Sequence, residues 1–283
     1  MPRRMSSRAY DIELAVAQQC AREAGAIILE NFRKTNAISI SYKGARDLVT
    51  DVDTRAEAVV AARLRATFPD DDVVGEESSE VKAIRAVKAR CWYVDPLDGT
   101  TNFVHGYPFA CASVGFAVDG RPTVGAVYNP IMDEMFAASA GHGATLNGQP
   151  ISVSDEREFV RALIGTEVGV TRDAETVDAI VGRMRAVVER ARGVRCSGSC
   201  ALNMCSVAMG RLDGFYEIGF GGPWDCVAGA AIVQEAGGVV LDPTGGEFDL
   251  NSRRVLCGNA HVANALVMAL KDVPDGPSEP HRP

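Results

Sequence analysis

The run Trp92-Tyr-Val-Asp95-Pro-Leu-Asp98-Gly99-Thr100-Thr101-Asn102-Phe103 constrains the fold of this chain more than any other stretch. An apolar, strand-like segment leads into two carboxylates and a hydroxyl, all between Asp95 and Thr100. Pro96 has no N–H to give a ladder or a helix, so the strand is expected to stop there. Gly99 allows a sharp turn and lets the backbone approach a ligand closely. The expected unit is a strand ending in acids, a tight turn and a helix start. Carboxylates suit hard divalent cations, and helix N-termini suit phosphate. One segment thus carries both halves of a metal-assisted phosphate site.

Around it the pattern alternates between helix and strand. Apolar positions Ile12, Ala15, Val16, Ala24, Ile27, Ile28 and Phe32 predict an amphipathic helix from Tyr10 to about Lys34. Ile38–Tyr42 reads as a strand, and Thr54 with Glu57 as the capping box of a helix reaching Phe68. From Cys111 to Val153, short β-rich runs separated by turns such as Asp119-Gly120 and Asn147-Gly148 predict an antiparallel sheet. Beyond it, strands at 163–167, 193–196, 215–217, 239–241 and 255–257 alternate with helices at 174–192, 200–209, 224–236 and 261–270. No internal repeat or linker interrupts the series, so a layered α/β fold is expected. The Pro-rich, polar residues 272–283 read as a frayed, flexible tail.

With 283 residues the chain has room for an ample core. Its net charge of −8 excludes a broadly basic surface for nucleic acid or anionic membranes. It does not exclude an anionic substrate, because bound cations reverse the local sign of an acidic cluster. The basic residues 1–8 lack the apolar core of a secretory signal, and no apolar run approaches the roughly 18 residues of a membrane span. The eight cysteines form no Cys-x-x-Cys pair and sit mostly in apolar surroundings, which reads as reduced core thiols. A cytoplasmic enzyme is expected. Of the four scattered histidines, His105 stands nearest the acidic turn and is as readily structural as pocket-lining.

Four acidic groupings need weighing together. Asp47-Leu-Val-Thr50-Asp51-Val-Asp53 leads into a helix, where Asp53 is readily explained as a cap. Gly75-Glu76-Glu77-Ser78, taken alone, is a solvated turn. Asx-turn chemistry accounts for one of Asp95 and Asp98, hardly for both beside Thr100. Asp225 in Pro223-Trp224-Asp225 opens a helix and is as readily a cap as a ligand.

Taken together the groupings resemble the inositol monophosphatase family, within the lithium-sensitive, magnesium-dependent phosphatases. Gly198-Ser-Cys-Ala-Leu-Asn203-Met-Cys, Asp213-Gly-Phe-Tyr-Glu217 and Glu235-Ala-Gly-Gly238 extend the resemblance in the family's order over about residues 10 to 270. The resemblance implies an αβαβα sandwich, usually a homodimer, with two or three Mg²⁺ ions per site. One domain is expected over 1–271, with a half ending near 155 that carries most metal ligands. The half from 156 to 271 would carry the substrate pocket and the last ligand.

By matching motif, the resemblance assigns Glu76, Asp95 and the Leu97 carbonyl to a first metal. Asp95, Asp98 and Asp225 go to a second, with Glu76 also meeting a third through water. Thr100, paired with Asp47, would orient and help deprotonate the attacking water. The backbone N–H groups of Gly99 and Thr100 would hold the phosphate. Gly198, Ser199 and Cys200 would line the pocket, where Glu217 accepts hydrogen bonds from ring hydroxyls. Two departures stand out. Gly169-Val170-Thr171 replaces a pocket serine of some relatives, moving that contact to Thr171, and the loop over Gly219–Pro223 is one residue longer than usual. The implied activity is hydrolysis of inositol monophosphates. The alternatives are a related phosphatase for histidinol phosphate, fructose 1,6-bisphosphate or phosphoadenosine phosphate, and a non-catalytic binding protein.

Overall fold

The amphipathic N-terminal pattern forms α1 (Asp11–Asn31), which buries Ala17, Cys20, Ala21, Ala24 and Ile28. In the computed structural model, residues 9–34, 39–42, 48–78 and 89–282 are described. Short strands β1 (Ile40–Tyr42) and β2 (Leu48–Thr50) pair antiparallel and lead into α2 (Asp51–Thr67). This helix starts earlier than the expected Thr54–Glu57 box. Thr50 is the cap: its Oγ1 accepts from Val52 N at 3.2 Å, and Asp53 Oδ2 accepts from Thr50 N at 2.9 Å. The same spacing of hydroxyl and acid occurs one turn upstream, where the chain leaves a strand. Glu57 instead lies inside the helix, buried, and accepts from Glu77 N at 2.7 Å.

Strands β3 (Asp72–Gly75) and β4 (Arg90–Asp98) precede the short helix α3 (Thr100–Val104). A meander follows: β5 (Cys111–Val118), β6 (Arg121–Asn129), β7 (Glu134–Ser139), β8 (Ala144–Leu146) and β9 (Gln149–Ile151). Among the described residues β3 to β9 form one sheet in sequence order, parallel between β3 and β4 and antiparallel elsewhere. The second part runs β10 (Leu163–Thr166), α4 (Ala174–Val188), β11 (Gly193–Arg195), α5 (Cys200–Ala208), β12 (Gly214–Ile218), α6 (Pro223–Glu235), β13 (Val239–Leu241), β14 (Arg254–Gly258) and α7 (Ala260–Leu270). Its sheet has the order β11-β10-β12-β14-β13, with β10 parallel to both neighbours.

The layers follow from which faces are apolar. α1 and α2 cover one face of the first sheet through Ile28, Val52, Val60 and Leu64 against Trp92, Val94, Val114 and Phe116. α5 and α6 lie between the two sheets, buried on all sides from Cys200 to Ala208 and from Pro223 to Val233. Helices enclosed this way need apolar residues all round. α4 and α7 close the far face, packing Val187, Val262 and Leu266 over Ile164 and Leu256. The result is an αβαβα sandwich. The sheet can approach α6 so closely because β6 carries Gly125: a Cβ there would stand 2.2 Å from the Ala228 carbonyl oxygen.

Two expectations need correction. β4 does not stop at Pro96; Asp95 pairs with Ser113 and Asp98 with Cys111, and a bulge between them absorbs the proline. Residues 272–282, expected as a frayed tail, lie against α4 and β14 through ion pairs and a buried Glu279. Their acids, scattered in a polar run, meet two arginines far away in sequence.

Candidate active site

The bulge at the end of β4 sets the geometry of the centre. It aims Asp95, Leu97 and Asp98 to one end of the sheet, all buried at 2%, 0% and 8% exposure. Asp95 Oδ1 accepts from Leu97 N at 3.0 Å, an Asx-type bond that fixes its rotamer. The next residue, Gly99, has φ of 88° and opens α3; a Cβ there would lie 2.8 Å from the Phe109 carbonyl oxygen. That strained, crowded position requires glycine.

Asp98 is held by the other half of the chain. Its Oδ2 accepts from Ser199 Oγ at 2.6 Å and from Ala201 N at 2.8 Å, at the start of α5. Burial raises its pKa to about 6, against those hydrogen bonds. Asp225, in the first turn of α6, accepts from Gly222 N at 3.3 Å. Burial raises both Asp95 and Asp225 well above the ordinary carboxylate range, with Glu76 and Asp98 adding repulsion. Glu76 reaches the site because β3 runs beside β4 and its N–H bonds the Val94 carbonyl at 3.1 Å. No Lys or Arg is among the groups that weigh most on these carboxylates.

Uncompensated buried carboxylates with oxygen-only donors fit a hard cation. Among the described residues, though, no three His, Cys, Asp or Glu side chains converge as a finished coordination set. The acids are close enough to repel one another but form no closed protein cage. Magnesium, which keeps waters and substrate oxygens in its shell, suits such a partial set.

Thr100 sits at the first position of α3, where Oγ1 donates to the Leu97 carbonyl at 3.0 Å and lies 3.2 Å from Asp53 Oδ1. Asp53 also takes the Thr50 bonds, and burial raises its pKa despite them. The expected partner of Thr100, Asp47, lies outside the described residues. Sequence reading weighed Asp53 only as a cap; its place three residues from Thr50 carried that signal but not its reach to Thr100.

Glu217, the expected centre of the substrate pocket, falls at the end of β12. Glu217 is buried, its Oε2 has no hydrogen-bond partner among the described residues, and burial followed by the nearby Glu167, Asp225 and Asp98 charges raises its pKa well above the usual range. Cys200 also bonds it. The adjoining turn is organised by Glu167, whose Oε1 accepts from Ser197 N at 2.9 Å, Gly198 N at 2.7 Å and Asn203 Nδ2 at 2.7 Å. Asn102 Nδ2 ties the same turn to α3 through the Ser197 and Phe109 carbonyls, each at 2.7 Å. Neither role was read from the sequence, although Asn102 stands inside the Asp95–Phe103 motif. Thr171 lies in the connection after β10; its carbonyl accepts from Arg172 Nη1 at 2.6 Å, and no hydrogen bond among the described residues joins it to Glu217. His105 is exposed at the end of α3.

The family model described as the inositol monophosphatase family matches residues 11–273, nearly the whole chain. This chain belongs to the inositol monophosphatase family. Inositol monophosphatase 2 of Solanum lycopersicum is 51% identical over 259 residues, covering 91% of this chain and 97% of the relative. Among solved structures, the extragenic suppressor protein suhB of Bartonella henselae superposes with a TM-score of 0.85 at 33% identity, covering 93% and 99% of the two chains. The inositol monophosphatase from Anabaena gives 0.78 at 32% identity, covering 94% and 98%. The layered architecture of this inositol monophosphatase family member is therefore shared along its length.

Proposed function

We propose that this chain hydrolyses inositol monophosphates to inositol and phosphate, with Mg²⁺ held by Glu76, Asp95, the Leu97 carbonyl, Asp98 and Asp225. The observation that carries the reading is the buried trio Asp95, Asp98 and Asp225 beside the Thr100–Asp53 bond and the open oxygen of Glu217. Phosphate monoesters are among the slowest substrates to hydrolyse uncatalysed, and bound Mg²⁺ supplies activation of water and stabilisation of the leaving oxygen. The protein supplies positioning. Thr100 Oγ1 orients the attacking water, with Asp53 accepting from that hydroxyl and Asp47 completing the pair expected from the resemblance. Backbone N–H groups of Gly99 and Thr100 hold the phosphate, and Ser199 fixes Asp98 while Gly198 and Cys200 shape the pocket wall. Glu217 takes hydrogen bonds from ring hydroxyls, which satisfies its unpartnered oxygen. Thr171 supplies a further hydroxyl contact.

A cytoplasmic homodimer acting on small phosphate monoesters belongs to the same reading. The homodimer is what the family resemblance implies, and the described cysteines, all free, suit a reducing compartment. The test is phosphate release with Mg²⁺ from inositol 1-phosphate, fructose 1,6-bisphosphate, phosphoadenosine phosphate, histidinol phosphate and glycerol 2-phosphate, each with and without Li⁺. Preference for inositol 1-phosphate that Li⁺ removes supports the reading. Preference for another ester keeps the metal chemistry and overturns the pocket. No Mg²⁺-dependent release overturns both.

A further inference from the structure

Residues 274–282 lie beyond the family match, which ends at 273, yet two buried arginines hold them. Arg183 on α4, 4% exposed, pairs with Glu279, also buried, and stands 3.7 Å from Asp275. Arg254 at the start of β14, 1% exposed, bonds Asp242 at 2.8 Å and Asp275 at 3.0 Å, and donates to the Pro280 carbonyl at 3.0 Å. Glu279 Oε2 in turn accepts from Gly276 N at 2.7 Å. A buried guanidinium without a partner is costly. The acids of this segment compensate Arg183 and share Arg254 with Asp242.

The anchored segment lies beside the pocket loop. Pro280 Cδ lies 3.7 Å from where a Cβ on Gly219 would stand. Arg253 grips the same loop: its carbonyl accepts from Gly219 N at 2.9 Å, and its side chain donates to the Phe220 carbonyl at 2.5 Å and to that of Gly219 at 3.3 Å. This loop joins Glu217, with its open oxygen, to the Gly222–Asp225 bond. It holds Gly219, Gly221 and Gly222, so its own backbone restricts it little.

We propose that residues 275–282 brace the 219–222 loop, and that Glu279 and Pro280 are positioning residues that set which alcohol the pocket accepts. The proposal rests on the phosphatase reading above and deepens it. A loop displaced by about 1 Å costs up to about a hundredfold when it orients substrate, so a brace outside the pocket acts on selectivity.

Pro280→Gly removes the ring but keeps the carbonyl that Arg254 binds, and Glu279→Gln keeps the shape while removing the charge. Both variants would be assayed for kcat and KM on inositol 1-phosphate and glycerol 2-phosphate across a Mg²⁺ titration. Trp224, whose ring packs against Gly222, would be followed by its emission in a Trp92→Phe background. The expected result is a KM for inositol 1-phosphate raised about three- to tenfold, a changed ratio between the esters, a Mg²⁺ requirement within about twofold of wild type, and a shifted Trp224 emission. Wild-type KM, ratio and emission in both variants overturn the proposal. So does an equal loss on both esters with a raised Mg²⁺ requirement, which would make the segment a support of Asp225. A wild-type protein inert on every ester defeats the phosphatase reading instead, and the brace is then judged on Trp224 emission alone.

Discussion

Thr100 Oγ1 lies 3.2 Å from Asp53 Oδ1, so the first residue of α3 is tied to the capping acid of α2. One carboxylate thus serves a helix start with one oxygen and the site with the other. Thr100→Val is expected to lower kcat about a hundredfold or more, the size of a lost proton-handling group, with melting temperature nearly unchanged. Asp53→Asn should lower kcat less and also cost about 1 kcal/mol of stability through the cap. Steady-state kinetics at saturating Mg²⁺ with a thermal melt separates the two effects. Full kcat in Asp53→Asn would move the partner role to Asp47.

Asp95 has no substitute in the buried trio. Asp95→Asn is expected to reduce kcat about a thousandfold or more, since several kcal/mol of charge stabilisation go with it. The check is turnover with Mg²⁺ raised until it saturates. Wild-type turnover there would remove Asp95 from the metal site.

The raised carboxylates make the metal-free protein sensitive to pH with a definite sign. Asp98 titrates near 6 when folded against 3.8 for a free side chain, and Asp95 and Asp225 shift the same way. The folded state then binds more protons than the unfolded one, so this contribution is present below about pH 4 and is lost as pH rises through about 6. In the absence of metal, stability should fall across that window. Mg²⁺ competes with those protons, so its stabilising effect should grow over the same range. Calorimetry with chelator and with Mg²⁺ at several pH values reads this directly. A Mg²⁺ effect independent of pH would argue that it binds elsewhere.

Glu217→Gln keeps the volume of a buried side chain while halving its acceptors. Discrimination between inositol 1-phosphate and glycerol 2-phosphate is expected to drop about tenfold, in line with a hydrogen bond to a charged group. Mg²⁺ affinity should stay close to wild type. Substrate competition assays give the ratio, and an unchanged ratio would take Glu217 out of the pocket.

Gly125→Ala tests the packing of α6 on the first sheet. Its Cβ would meet the Ala228 carbonyl oxygen at 2.2 Å, a backbone contact that no rotamer relieves. Overpacking of this kind costs about 1–3 kcal/mol, and denaturant titration should show it. A loss below about 0.5 kcal/mol would mean the helix shifts freely.

Most of the layering was legible because helical and strand periods alternate with turn residues, and α7 and β13 fall where those patterns place them. The carboxylates were legible as a set only through the family's order of motifs; alone, Glu76 and Asp225 look like a turn and a cap. What stayed hidden depends on partners far apart in sequence. The Ser199 bond to Asp98 spans more than a hundred residues, as does the Ser113 bond to the Trp224 carbonyl. The anchoring of Glu279 by Arg183 is of the same kind. Local composition made 272–282 look loose, because the charges that hold it are on α4 and β14. The capping box was misplaced by one turn because Thr54–Glu57 repeats the spacing of Thr50–Asp53, and the end of β2 at Thr50 decides between them.

The donors that hold Asp98 stand at the start of α5, in the junction between the two sheets. The centre is therefore stitched into that seam and not laid on top of it. Any breathing that widened the seam would strip Asp98 of its donors and carry Asp225 on α6 out of register with Asp95. Opening and disarming the site would be one motion, so a partly opened molecule would be a silent one rather than a careless one.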